Sequence, residues 1–150
     1  MTRVPSCERS GLFTICTDND VRAIRRAGTE VSVAAGCCIH QSEQPARWAY
    51  LMLDGVAVAT EDGRCHALRA GDIHGARALL SRDHSCGELI AATDARVLVI
   101  DRSHFTALMT SNAAFACGVA KQLATFLPST GTTPAENPST SDPTGLSDAA

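Results

Sequence analysis

Short runs of β-branched and apolar residues alternate with glycines and charged turns through the middle of the chain, from Thr29 to Ile100. Val31 and Val33 alternate with polar residues before Gly36 interrupts the run. Many short strands at this spacing are typical of barrels, sandwiches and jelly rolls, in which sheet pairing protects the strand edges. The further predicted strands are Tyr50–Leu53, Val56–Val58, Ala67–Leu68, Leu89–Ala91 and Val97–Ile100.

Helical patterns stand on both sides of this β region. The segment Thr17-Asp18-Asn19-Asp20 has the form of a capping box and Gly28 ends the pattern, so a helix is predicted near Asp18–Ala27. After the last strand, Ser103 is the predicted cap of a short helix and Asn112 that of a longer one. The predicted fold class is α+β: an antiparallel β-roll or jelly roll of about eight short strands, with an N-terminal helix and C-terminal helices.

The longer C-terminal helix carries one apolar stripe, made by Phe115, Val119, Leu123 and Phe126 at helical spacing. Such a stripe is most often part of the chain's own core. The alternative is the seam of a homodimer, because small residues beside the stripe would let a second helix approach closely. Those small residues are Ala113, Ala116, Gly118, Ala120 and Ala124.

The composition changes sharply at Pro128. Residues 128–150 contain four of the six prolines and nine serines or threonines, with no aromatic, lysine or arginine residue. Such a segment cannot bury enough apolar surface to offset its ordering entropy. We therefore predict a folded domain over residues 11–127 and a disordered acidic tail that is dispensable for folding.

The overall composition narrows the class of protein further. The 150 residues carry a net charge of −3, which argues against a strongly basic nucleic-acid binder. No apolar run is long enough for a transmembrane helix, and the N-terminus has no secretory apolar segment, so a cytoplasmic location is predicted. The seven cysteines show no paired spacing. We interpret them as small buried hydrophobes in a reducing compartment.

Two motifs inside the β region carry a resemblance. Residues 50–58 read Y-L-M-L-D-G-V-A-V, and residues 68–75 read L-R-A-G-D-I-H-G before a short helical stretch, Ala76–Ser81. They resemble the "Y-x-(I/L)-x-x-G-x-(V/A)-x-V" and "L-x-x-G-D-x-F-G" motifs of the cyclic nucleotide-binding domain family. This is the module of catabolite-activator-type regulators and of cyclic-nucleotide-dependent kinases and channels. The resemblance covers about Gly11 to Leu127.

The resemblance implies a regulatory domain that binds a cyclic nucleotide, or another small anion, in a phosphate-binding cassette. Gly75 would let the backbone approach a phosphate, and the short helix after it would present free backbone N–H groups. The corresponding candidate site residues are Gly75, Ala76, Arg77, Ala78, Arg82, Ser85, Cys86 and Gly87.

Two side chains on which the family relies are absent from this cassette. The family's ribose-binding glutamate corresponds to Ala76, and its phosphate-binding arginine corresponds to Cys86, or to Ser85 if the loop shifts by one residue. The family's phenylalanine before the glycine is His74. The resemblance therefore implies weak or altered ligand binding. Arg77 and Arg82 are either replacement cations or ordinary solvated arginines.

Enzymatic and metal-dependent functions find little support. His74, His84 and Cys86 cluster in sequence, but no fourth ligand has a recognised spacing, so no metal or cofactor is predicted. A cupin metalloenzyme would need an H-x-H pair, which is absent, although His40 and Glu43 stand before the first motif. There is also no nucleophile elbow, P-loop or dinucleotide fingerprint.

Two classes of function stay open. The first is a stand-alone sensor whose ligand repositions the C-terminal helices, since no DNA-binding domain follows residue 127. The second is a non-binding scaffold for protein interaction or self-association. Both predict a protein partner or a homodimer, and neither predicts an enzyme, a nucleic acid or a membrane.

Overall fold

The structure, a computed structural model, describes residues 11–61, 63–81 and 87–126. The predicted site residues Arg82, Ser85 and Cys86, and the predicted tail 128–150, lie outside the described residues. The helical elements are a 3₁₀ turn Gly11–Ile15 and helices α1 Asp18–Arg26, α2 Ala76–Ser81, α3 Arg102–Ser111 and α4 Ala113–Phe126. The strands are β1 Thr29–Val33, β2 Cys38–His40, β3 Trp48–Asp54, β4 Ala57–Glu61, β5 Arg64–Leu68, β6 Ile73–His74, β7 Glu88–Ala91 and β8 Ala95–Asp101.

The eight strands form two four-stranded antiparallel sheets. The first has the strand order β1-β8-β3-β6 and the second the order β2-β7-β4-β5. With helices before and after the strands, this is the predicted α+β β-roll, and the predicted fold class is confirmed.

The first sheet separates two apolar cores. In β3, Ala49, Leu51 and Leu53 face the helices, whereas Tyr50 and Met52 face the interior between the two sheets. The helix-side core also contains Leu12, Ile24, Leu98, Ile100, Phe105, Phe115 and Val119. The core between the sheets also contains Ala57, Ala59, Leu68, Leu89, Ala95 and Val97.

Local capping explains where the helices begin. The predicted capping box of α1 is confirmed: the Asp20 N–H donates to Thr17 Oγ1 at 3.1 Å, and the Thr17 N–H donates to Asp20 Oδ2 at 2.9 Å. The cap predicted at Ser103 is wrong, because Asp101 accepts from the His104 N–H and α3 begins at Arg102. The last β-strand runs directly into this helix, so the cap is the final strand residue.

The apolar stripe of α4 packs inside the chain. The Asn112 side chain accepts from the Phe115 N–H, which confirms the predicted cap. Phe115 and Val119 are 0% exposed in the helix-side core, and Leu123 packs at its edge. Phe115 and Val119 are therefore not available to a second subunit, and the proposed dimer seam is wrong for these two residues. A homodimer through the rest of the C-terminal helix stays a prediction.

The cysteines correct a further prediction. Cys16 is buried, as expected, but Cys37, Cys38, Cys65 and Cys117 are exposed. Cys38 and Cys65 lie in the second sheet, and Cys117 lies on α4. The interpretation of the cysteines as buried hydrophobes is therefore wrong for most of those that the structure describes.

No helix among residues 11–61, 63–81 and 87–126 is long and apolar enough to cross a membrane.

Candidate ligand-binding site

The predicted cassette begins where β6 meets α2. Gly75 joins them with φ of +94°, a backbone conformation that favours glycine, and its carbonyl accepts from the Leu79 N–H at 3.1 Å. Ala76 and Ala78 are buried, whereas Arg77 is exposed. The backbone geometry that the motif predicted is therefore present, and a helix follows the glycine directly.

Gly87, the last residue of the cassette, lies near the first cassette residues. Gly87 has φ of +81° and lies against β4, where a Cβ atom on it would come within 2.4 Å of Glu61 Cγ. The structure thus places Gly87 near Gly75 and the first turn of α2. That turn contains Ala76, Arg77 and Ala78. Ala76, the position that the resemblance assigns to the family's glutamate, has its methyl group in the helix-side core.

Three polar rings meet beside the cassette, inside the β-roll. A register shift in β2 opposite β7 turns His40 inward, and His40 Nδ1 lies 2.9 Å from the Tyr50 hydroxyl. The His74 ring lies 6.3 Å from both the His40 and Tyr50 rings, measured between centroids. The sequence motifs contain Tyr50 and His74, but their spacing does not show that the two residues pair. His40 lies outside both motifs.

His74 is an uncharged residue near neutral pH. It is 4% exposed, and this burial lowers its pKa from 6.5 to about 4, although a hydrogen bond to the Gly87 carbonyl opposes the shift. Nearby His40 and His66 also lower it. Glu61 Oε2 lies 4.0 Å from His74 Nδ1, and since His74 is neutral this contact is not an ion pair.

Glu61 pairs instead with the cassette helix. Its Oε1 atom lies 3.5 Å from Arg77 Nη2, and the Glu61 side chain is 28% exposed. Arg77 was predicted to be either a replacement cation or a solvated arginine. The structure makes it a half-exposed partner of an acid that the sequence motifs did not indicate.

Two side chains connect the cassette to the C-terminal helices. Gln122 of α4 accepts from the Ile73 N–H at 2.9 Å and donates to the Ile73 carbonyl at 2.8 Å, next to the first cassette residues. Arg102 of α3 donates to the carbonyls of Leu79 and Ala46 at 3.1 and 3.2 Å. Arg102 therefore ties α2 to α3 directly, and Gln122 ties β6, the strand just before α2, to α4.

Within the part of the chain that the structure describes, no group of three histidine, cysteine or acidic residues is placed to hold a metal ion. His84 and Cys86, which the sequence placed in one cluster with His74, lie outside that part. His40 pairs with Tyr50, and Glu43, its companion in the cupin comparison, is exposed.

The buried, neutral His74 predicts an acid-labile fold. As the pH falls from 6.5 to 4, His74 takes up a proton in the unfolded chain but not in the folded chain. The free energy of unfolding is therefore full above pH 6.5 and falls by about 3 kcal/mol over this range. We expect His74→Phe to lose less stability than the wild type over this range, measured by urea unfolding at several pH values. The exposed His104→Gln is the control, and equal losses in all three proteins would contradict the prediction.

The fold and the cassette define a class: a β-roll module in which a short helix packs against C-terminal helices. A sequence profile of the cyclic nucleotide-binding domain matches residues 30–112, more than half of the chain. The chain belongs to the cyclic nucleotide-binding domain family.

Solved structures show the same fold. The catabolite activator protein of Thermus thermophilus is 22% identical with a TM-score of 0.65, over 77% of this chain and 57% of that one. A putative cyclic nucleotide-binding protein from Geobacter metallireducens is 20% identical with a TM-score of 0.61, over 83% of this chain and 95% of that one.

A third similar structure is the regulatory subunit of a cAMP-independent protein kinase A from Trypanosoma brucei. It is 15% identical with a TM-score of 0.61, over 75% of this chain and 43% of that one. A triple mutant of that subunit, in which one threonine is replaced by arginine, is bound to cAMP in its A site. No curated protein sequence matches this chain significantly.

Proposed function

We propose that this chain is a regulatory sensor domain with weak or altered cyclic-nucleotide binding, which acts on a protein partner through its C-terminal helices. The observation that carries the proposal is the cassette itself. Gly75 and α2 keep the backbone form of the family, whereas Ala76 offers a buried methyl group in place of a carboxylate.

The output of the domain is supported by the contacts around α2. Gln122 holds both backbone groups of Ile73, and Arg102 holds the carbonyl of Leu79. A ligand that displaces α2, and β6 with it, has to strain or break these bonds, so its binding energy biases the position of α3 and α4. This is a physical route from the cassette to a surface that a partner protein recognises.

A kinase regulatory subunit gives a parallel for altered binding. That protein is described as cAMP-independent, and a variant of it that gains an arginine is bound to cAMP. Loss of charged ligand contacts on an intact β-roll is the condition that we propose for this chain.

The test is a calorimetric titration of the full chain with cyclic AMP and cyclic GMP. We expect no saturable heat from either nucleotide at tens of micromolar, because two charge-assisted hydrogen bonds of the family are missing. Sub-micromolar binding would overturn the proposed weak binding. Arg77→Ala and Arg82→Ala would then show which arginine had replaced the missing one.

A non-binding scaffold is the second candidate. The rings of His40, Tyr50 and His74, with centroids 5.4 to 6.3 Å apart, occupy space beside the cassette inside the roll, and this favours a domain without a ligand. The scaffold predicts that no small anion shifts the resonances of α2 at any concentration, whereas the sensor predicts saturable shifts at millimolar ligand.

A further inference from the structure

Glu61 contacts both ends of the cassette and its helix, although no sequence motif indicates this acid. Ala57 and Ala59 of β4 are buried between the sheets, and strand periodicity places Glu61 on the same inward face. The Glu61 side chain lies against Gly87 at one end of the cassette, near His74 at the other, and beside Arg77 on the helix between them.

The side chains near Glu61 differ in charge. His74 is neutral near pH 7, so Arg77, at 3.5 Å, is the cation that the structure places against the carboxylate. Arg64 stands directly opposite Glu61 in the β4–β5 register. Arg64 is exposed, and the Arg77 side chain is 48% exposed against 28% for Glu61. Among the described residues of this corner, the Glu61 carboxylate is therefore the most deeply buried charge.

We propose that Glu61 is a specificity-determining residue, whose carboxylate occupies the anion position of the cassette and selects against negatively charged ligands. This rests on the proposed function, because it assumes that the cassette is the ligand site. A phosphate entering between Gly75 and Gly87 would meet a fixed negative charge and would have to separate Glu61 from Arg77. A neutral ligand of the same shape meets neither cost.

Two related probes separate charge from shape. Cyclic AMP carries one negative charge, and adenosine has the same base and sugar without the phosphate. We expect Glu61→Gln to bind cyclic AMP about fivefold to fiftyfold more tightly than the wild type, with adenosine unchanged. The measurement is a nuclear magnetic resonance titration of the full chain up to about 10 mM ligand, where dissociation constants near millimolar are resolved.

The matched control is Glu88→Gln. Glu88 lies opposite Thr60 of β4 and faces away from the interior between the sheets, so this variant makes the same charge change on the outer face of the same sheet. It should leave both affinities as in the wild type. Glu61→Ala serves as a second variant if the glutamine disturbs packing, and circular dichroism checks the fold of each protein.

Several outcomes would overturn the inference. One is an equal gain for adenosine, which would mean that the glutamate blocks the site by size rather than charge. Others are an equal gain in Glu88→Gln, or no change, or no cyclic AMP binding by any variant up to the highest concentration. Tight binding by the wild type would instead refute the proposed weak binding, and the ratio between Glu61→Gln and wild type would still decide the role of Glu61.

Discussion

Val119→Glu is expected to unfold the protein. Val119 is 0% exposed in the core between the helices and the first sheet, so a new carboxylate there is surrounded by apolar side chains. Burying an unpaired charge and losing apolar packing cost at least about 4 kcal/mol together, against a total free energy of unfolding of about 5–15 kcal/mol for a typical domain. Thermal unfolding and near-ultraviolet circular dichroism measure the loss.

The control for this variant is Ala120→Glu, which adds the same charge one residue further along α4. Ala120 is exposed, so this protein should melt within a few degrees of the wild type. A folded, monomeric Val119→Glu protein, derived from a wild type that sediments as a dimer, would show that the stripe is an intersubunit surface and that the packing described above is wrong.

Restoring the two missing ligand contacts is expected to strengthen cyclic-nucleotide binding by about 10²- to 10⁴-fold. Each hydrogen bond to a charged group contributes about 1.5–3 kcal/mol, so two contribute about 3–6 kcal/mol. The variants are Ala76→Glu with Cys86→Arg, and Ala76→Glu with Ser85→Arg, because residue spacing leaves both positions open for the arginine. Calorimetry with cyclic AMP and cyclic GMP measures the gain.

The single changes are the controls for this experiment. Ala76→Glu alone places a carboxylate at a 2% exposed position in the helix-side core, so we expect it to lower stability without ligand. Cyclic nucleotide should return part of that stability in the paired variant, since ligand that binds only the folded state stabilises it. A paired variant that folds but gains no affinity would mean that the pocket has closed, and would favour the scaffold.

Signals carried by neighbouring residues were predictable from the sequence. The capping box at Thr17 and Asp20, the cap at Asn112, the alternation of the strands and the glycine at position 75 each depend on spacings of a few residues. The order of these signals predicted the α+β β-roll, and the family followed from the resemblance of residues 50–58 and 68–75 to its motifs. The cap of α3 was missed because a strand end and a helix cap coincide at Asp101.

The surroundings of the cassette depend on residues far apart in sequence, and spacing could not predict them. Glu61 meets Arg77 and Gly87 because of the β4–β7 register, and a bulge in β2 directs His40 towards Tyr50. An alternating pattern shows that a residue faces inward but not which residue of another strand it meets.

The apolar stripe of α4 shows the same division between sequence and tertiary structure. Its spacing determined that Phe115 and Val119 share one helix face, because 3.6 residues make a turn in any α-helix. Only the tertiary structure decided that this face packs on the chain's own sheet. It also decided that Gln122 hydrogen-bonds to Ile73, which lies 49 residues away in sequence. The physical reason is that an apolar face gains the same free energy from either surface, and only the path of the chain decides which surface it meets.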